Sequence, residues 1–279
     1  MTIRDDHALA ADLATEAGER LLALRAREGF DDPAGLRALG DRASHVFLME
    51  SLARLRPSDC VLSEESSRED RLDPRRLSAP RVWIVDPLDG TREFSERRAG
   101  PGSGSLRDQD GAEGSATISP EEGRSDWAVH VALWEGDRLT AGAVALPAQG
   151  RTLSTAEPPK LPTLERGRFR IAVSRTRPPE FVQKLAYLVG ADLVPIGSAG
   201  AKISAVLTGD VEAYVHAGGQ YEWDSAAPVA VAQAAGAHTS RIDGTPLTYN
   251  RADPSLPDIL VSLPDLASTL LAGIRDLHR

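Results

Sequence analysis

Asp86-Pro87-Leu88-Asp89-Gly90-Thr91 places two carboxylates three residues apart at the end of an apolar run, Val82-Trp83-Ile84-Val85, and this restricts how the chain can fold around it. The apolar run reads as a buried strand that breaks at the proline. An ionised Asp offers only acceptor oxygens, which suit a hard cation such as Mg²⁺, and the Leu88 carbonyl between them offers another. Gly90 and Thr91 then supply backbone N–H groups. A helix starting there leaves those donors unpaired, beside its positive end, as a seat for a phosphate oxyanion. A strand, a tight turn and a helix tip are thus required in immediate succession, with metal-assisted phosphate chemistry at the junction.

The rest of the chain must bury that strand, and 279 residues suffice for one large domain or two of ordinary size. Leu9, Leu13, Ala17, Leu21 and Leu24 recur at helical spacing between Asp5 and Arg27, and Asp41 to Leu55 repeats the pattern before Pro57. Strand-like runs follow at Cys60 to Leu62, Val82 to Val85, Trp127 to Trp134 and Leu139 to Leu146, the last two joined by a hairpin at Glu135-Gly136-Asp137. After Pro147, strands at Phe169 to Ser174, Leu193 to Ile196 and Val211 to His216 alternate with helices at Pro179 to Val189, Ala199 to Leu207 and Ser225 to Ala235. The expectation is α/β overall: an α+β N-terminal half over 1–147 and an α/β C-terminal half over 148–279. Between them, near 96–125, a Gly/Ser-rich polar stretch reads as a disordered insertion, an inert surface extension rather than a lid.

A formal net charge of -9 without a basic stripe argues against long nucleic acids. No stretch approaches the roughly 18 apolar residues of a membrane span, and the N-terminus lacks a signal-peptide core, so a cytoplasmic protein is expected. The single cysteine, Cys60, reads as buried strand filler and agrees with a reducing compartment. Carboxylates lining a phosphate pocket repel the substrate unless divalent cations reverse the local sign, so the acidic residues themselves imply a metal.

Asp86 to Phe94, with Leu62-Ser63-Glu64-Glu65-Ser66 upstream and Glu222-Trp223-Asp224-Ser225-Ala226-Ala227 downstream, resembles the signature of the inositol monophosphatase superfamily of Mg²⁺-dependent, Li⁺-sensitive phosphatases. The continuation Arg92-Glu93-Phe94 is similar to that of the 3'(2'),5'-bisphosphate nucleotidase branch of CysQ type. The resemblance implies a layered αβαβα sugar-phosphatase fold and a site with two or three Mg²⁺ ions. It implies that Glu64, Asp86 and the Leu88 carbonyl hold one ion, and Asp86, Asp89 and Asp224 a second. It also implies that Thr91 orients a water with Asp41 as acidic partner, Glu64 sharing in catalysis. Gly197-Ser198-Ala199-Gly200-Ala201-Lys202 resembles the element lining the pocket opposite the metals.

Asp89, Gly90, Thr91, Arg92, Ser198, Lys202, Arg175 and Asp224 form the expected substrate-binding set, with Lys202, Arg175 and Arg177 as candidates for an anion that is not hydrolysed. Plainer roles stand beside these. Asp89 next to Gly90 also suits a turn, Asp224 suits the cap of a helix starting at Ser225, and Lys202 suits a solvated helix face. Glu65 reads as a residue behind the ligands or in solvent rather than a ligand itself, because neighbours on an extended chain point to opposite faces. Trp83, Trp127, Trp134 and Trp223 read as packing, as do His130 and His216 in their apolar runs, and zinc is disfavoured.

The implied reaction is hydrolysis of 3'-phosphoadenosine 5'-phosphate to AMP and phosphate, with the 5'-phosphosulfate analogue a further substrate, in sulfur assimilation. The alternative is an inositol monophosphatase or fructose-1,6-bisphosphatase, which shares the same core and differs in pocket residues, or an enzyme of broad specificity that satisfies both readings. An inactive phosphate or nucleotide sensor would not need the whole carboxylate set. Homodimers are common among relatives.

Overall fold

The computed structural model describes residues 5–98, 123–164, 167, 169–176 and 178–277. The expected insertion and Arg177 therefore fall largely or wholly outside the described residues. In chain order the elements are α1 (Asp6–Glu28), α2 (Pro33–Leu55), β1 (Cys60–Ser63), α3 (Arg68–Arg71), α4 (Pro74–Ser78), β2 (Arg81–Asp89) and α5 (Thr91–Phe94). Then come β3 (Ala128–Glu135), β4 (Arg138–Leu146), β5 (Arg151–Ser154), β6 (Arg170–Ser174), α6 (Glu180–Val189), β7 (Asp192–Ile196) and α7 (Ala199–Thr208). The chain continues with β8 (Ala213–Tyr221), α8 (Glu222–Ala235), β9 (His238–Ser240), β10 (Ser255–Ser262) and α9 (Ala267–Leu277).

Two sheets form, of order β1-β2-β3-β4-β5 and β7-β6-β8-β10-β9. The alternation of side chains explains the layering. Trp83, Val85, Val129, Val131 and Leu133 meet the apolar stripes of α1 and α2, while Val82, Ile84, Ala128, Ala132 and Val144 meet α7, α8 and the second sheet. A third core packs α6 and α9 on the outer face of that sheet, through Ile171, Leu185, Leu260 and Leu270. The result is the expected αβαβα stack. Because β5 belongs to the first sheet, that sheet ends beyond the expected boundary at residue 147.

Three local departures have clear causes. The second helix starts at Pro33 rather than near Asp41, because Asp32 accepts the Gly35 N–H at 2.9 Å and proline suits the first helical turn. The strand does not break at Pro87. β2 continues to Asp89 through an irregularity between Asp86 and Asp89, where three steps on β2 oppose two on β3. A bulge is where a strand tolerates proline, and the Pro87 carbonyl is satisfied by Ser44 Oγ at 2.6 Å. The Trp-Asp helix starts at Glu222, so Asp224 lies in its first turn and accepts the Tyr221 N–H at 2.8 Å instead of preceding the helix. β5, β9, β10 and α9 were not expected from the pattern.

A half-buried polar knot ties the start of β2 to the segment before β1. The Trp83 indole N–H donates to Asp59 at 2.9 Å, and Arg81 Nε donates to both Asp59 oxygens at 3.1 Å while its other nitrogens reach Asp6 and Glu135. Asp59→Ala is expected to cost about 1–3 kcal/mol, because it leaves the buried Trp83 indole donor without an acceptor and takes from Arg81 one of its three carboxylates. Thermal unfolding checks this: Asp59→Asn, which keeps an acceptor for Trp83, should lose clearly less.

Candidate active site

Helix α2 reaches the turn at 86–91 because of Gly40. A Cβ there would lie 2.9 Å from Leu88 Cδ2 and 2.8 Å from Phe94 Cε1, so only hydrogen permits the approach. The next residue, Asp41, then meets Thr91, whose hydroxyl lies 3.4 Å from Asp41 Oδ1 and 3.1 Å from the Leu88 carbonyl. Gly90 takes a left-handed conformation (φ 85°, ψ 43°) and starts α5. It faces the entry of α7 so closely that an added Cβ would sit 2.8 Å from Ser198 Cβ.

Four carboxylates converge beside this turn. Asp86 is 1% exposed, hydrogen-bonds Glu64, and accepts the Leu88 N–H at 3.1 Å. Burial, then the charges of Glu64, Asp89 and Asp224, push its carboxyl well above the usual range. Burial raises Glu64 as well, with Asp89, Glu65 and Asp41 adding to it and the Asp86 hydrogen bond opposing. Asp224 is pushed up to about 7 by burial and Asp89. Burial also acts on Asp89, but His130, the Gly200 N–H and Lys202 outweigh it and hold that carboxyl low.

The reason lies in α7 and β3. The Gly200 and Ala199 N–H groups donate to Asp89 at 2.6 and 3.3 Å, and His130 Nε2 lies 3.2 Å from the same carboxylate. His130 is fully buried, and its Nδ1 bonds the Trp223 carbonyl at 2.9 Å. It packs as expected, yet it also ties Asp89 to the segment bearing Asp224. Arg71 does the same for Glu64: it donates to the Glu64 carbonyl and lies 4.6 Å over the Trp223 ring. Neither role was foreseen. The only sequence hint for His130 is its parity with Ala128 and Ala132, which turns it toward the middle layer.

The structure brings Asp41, Glu64, Asp86, Leu88, Asp89, Gly90, Thr91, Ser198 and Asp224 into this neighbourhood. Ser198 caps α7, accepting the Ala201 N–H at 3.0 Å. Lys202 is 5% exposed, not solvated, and donates to the Gly197 carbonyl; burial lowers its pKa against the pull of Asp89 and Glu93. Arg175 is engaged by Asp126. Arg92 pairs with Glu96 at the surface, at 2.8 Å. Glu65 is exposed, as expected.

No three His, Cys, Asp or Glu side chains among the described residues are gathered closely enough to hold a metal ion as they stand. Protein donors engage two of the four carboxylates, Asp89 through the Gly200 N–H and Asp224 through the Tyr221 N–H. The donor chemistry nevertheless fits a hard divalent cation: the four acidic side chains offer oxygen donors, and the charges of Glu64, Asp89 and Asp224 raise one another or Asp86.

A layered αβαβα stack with four carboxylates beside a glycine-led helix tip is the arrangement expected of the sugar-phosphatase fold class. The family model described as "Inositol monophosphatase family" matches residues 7–276, and the chain belongs to that family. It is 46% identical over 284 residues to the 3'-phosphoadenosine 5'-phosphate phosphatase of Mycobacterium leprae, covering 98% of this chain and 94% of the relative. It is 30% identical over 235 residues to the 3'(2'),5'-bisphosphate nucleotidase CysQ of Escherichia coli K12, covering 80% and 83%. Among solved structures, inositol monophosphatase II from Staphylococcus aureus MSSA476 superposes with a TM-score of 0.72 at 21% identity, over 97% of this chain and 95% of that one. No helix of the described residues is long and apolar enough to cross a membrane.

Proposed function

We propose that this phosphatase is Mg²⁺-dependent and removes the 3'-phosphate of 3'-phosphoadenosine 5'-phosphate, releasing AMP and phosphate, and that it works in the cytoplasm, as a homodimer. The observation that carries the reading is the convergence of Glu64, Asp86, Asp89 and Asp224 on Gly90-Thr91, in a chain 46% identical to relatives that bear that activity as their name.

In this reading Glu64, Asp86, Asp89, Asp224 and the Leu88 carbonyl hold two or three Mg²⁺ ions. Bound there, such ions polarise the phosphoryl group, activate water and steady the leaving oxygen. The chain's own residues do the rest. Gly90 and Thr91 offer backbone N–H donors to the phosphate. Thr91 and Asp41 orient the attacking water, and burial followed by the Glu65 charge brings Asp41 to about 6, where a carboxylate accepts a proton near neutrality. Arg92, Ser198 and Asp224 complete the proposed substrate-binding set, while Lys202 and Arg175, each engaged by a protein acceptor, are the cations proposed for the second phosphate.

Side-by-side kcat/KM with Mg²⁺ for 3'-phosphoadenosine 5'-phosphate, inositol 1-phosphate and fructose 1,6-bisphosphate tests the reading. The nucleotide should lead by at least about tenfold, since inositol 1-phosphate leaves the second-anion site unpaired and fructose 1,6-bisphosphate offers the pocket no adenosine. Dialysis against EDTA should abolish turnover, and Mg²⁺ should restore it. A preference for inositol phosphate would overturn the nucleotide assignment.

A further inference from the structure

We propose that Asp126 is a positioning residue: it holds the Gly197-Ser198 turn against the phosphate cradle and so sets the width of the substrate pocket. The inference deepens the function proposed above and rests on it for the identity of the substrate.

Asp126 belongs to the segment entering β3, and that segment is tightly fixed. The Arg124 N–H donates to the Glu96 carbonyl at 3.1 Å. The Arg124 carbonyl accepts from Arg25 Nη1 at 2.9 Å and from the Trp127 indole at 3.1 Å, and Gln149 donates to the Ser125 carbonyl at 3.0 Å. From this base Asp126 reaches across to the turn before α7. Its carboxylate accepts the Gly197 N–H at 2.6 Å and its backbone carbonyl accepts the Ser198 N–H at 3.1 Å. One residue thus holds two successive amides of the pocket wall.

The grip is braced from both sides. Arg124 Nε donates to Asp126 Oδ1 at 3.2 Å, and Arg175, at the end of β6, donates to Oδ2. Arg175 Nη1 also lies 3.9 Å from Glu93, which flanks the same glycine. A Cβ at Gly197 would overlap the Glu93 side chain and stand 2.8 Å from Asp126 Oδ2, so the turn is seated between two carboxylates. Burial works against the Asp126 anion, but Arg175 and Arg124 outweigh it and keep the carboxyl below its ordinary range.

What the grip controls is the gap between two walls. Ser198 stands where an added Cβ at Gly90 would meet its own Cβ at 2.8 Å. A ligand on the Gly90-Thr91 donors must therefore pass along Ser198. On its far side the clamp faces a cleft of about 290 Å³, bordered by Arg98, Arg124, Arg175 and Ser204. Without Asp126 the Gly197 N–H and the two guanidiniums lose their shared acceptor. Helix α7 keeps its own anchor, because Ala199 and Gly200 are held by Asp89. The loss falls on the wall, not on the carboxylates.

The test is Asp126→Ala in the full chain, read by hydrogen exchange and by steady-state kinetics. Peptides spanning 195–200 should exchange at least about tenfold faster while those spanning 128–135 stay as in the parent. KM for 3'-phosphoadenosine 5'-phosphate should rise about tenfold, with kcat falling less than threefold. If Asp126→Ala does not fold, Asp126→Asn, which keeps an acceptor oxygen but loses the charge, carries the same test with a KM rise of about threefold. Unchanged exchange at 195–200, or a fall confined to kcat, overturns the proposal. If the parent protein does not turn over this nucleotide, the substrate assignment fails, and the exchange experiment still decides the role of Asp126.

Discussion

Asp86→Asn is expected to lower kcat by about a thousandfold or more, since it deletes the carboxylate proposed to serve both metal positions and with it several kcal/mol of transition-state stabilisation. The fold should survive. Asn keeps the shape of the side chain and the acceptor that takes the Leu88 N–H at 3.1 Å. Asp86 is fully buried, and burial, Glu64, Asp89 and Asp224 all disfavour its charged form. A neutral amide is the better match for that metal-free environment, so in EDTA the variant should unfold at the same temperature as the parent or higher. Adding Mg²⁺ should raise the parent's unfolding temperature and leave the variant's almost unmoved. Parent-like turnover at saturating Mg²⁺ would remove Asp86 from the centre of the site.

The same residue shows what a sequence can display. Asp86, Leu88, Asp89, Gly90 and Thr91 are neighbours along the chain, so the make-up of one turn, a strand end running into a glycine-led helix, is legible without knowing what packs on it. Helices and strands were legible where their period was local: α1 differs from expectation by one residue at either end. The bulge at Pro87 was not, because what tolerates the proline is the pairing with β3 and a hydroxyl from Ser44 on another element. His130 is the sharper case. Its partners, Asp89 and the Trp223 carbonyl, lie on separate segments, and nothing near position 130 distinguishes a packed imidazole from a bonded one. Lys202 likewise sits on a helix that could have faced water, and only the second sheet over that helix buries it.

Gly200→Ala should destabilise the protein by about 2–4 kcal/mol, near the upper end of overpacking costs, although local propensity argues the other way. Gly200 is the second residue of α7 and its φ is not positive, so Ala would not strain the backbone and would favour the helix by about 1 kcal/mol. The tertiary contact decides the sign. An added Cβ would overlap His130 Nε2, and would lie 2.9 Å from Cε1 and 3.0 Å from Asp89 Oδ2. Neither neighbour can easily yield: His130 is fully buried and bonded to the Trp223 carbonyl, while Asp89 is held by the Ala199 and Gly200 amides. Relief requires α7 to back away, which breaks the 2.6 Å bond from the Gly200 N–H and releases Asp89. Activity should therefore fall together with stability. Urea unfolding of a double-mutant cycle isolates the contact: in a His130→Ala background the space is vacated, and the cost of Gly200→Ala should shrink by at least about 1 kcal/mol. Equal costs in both backgrounds would mean that the helix and the imidazole do not constrain one another, and that Asp89 takes its position from elsewhere.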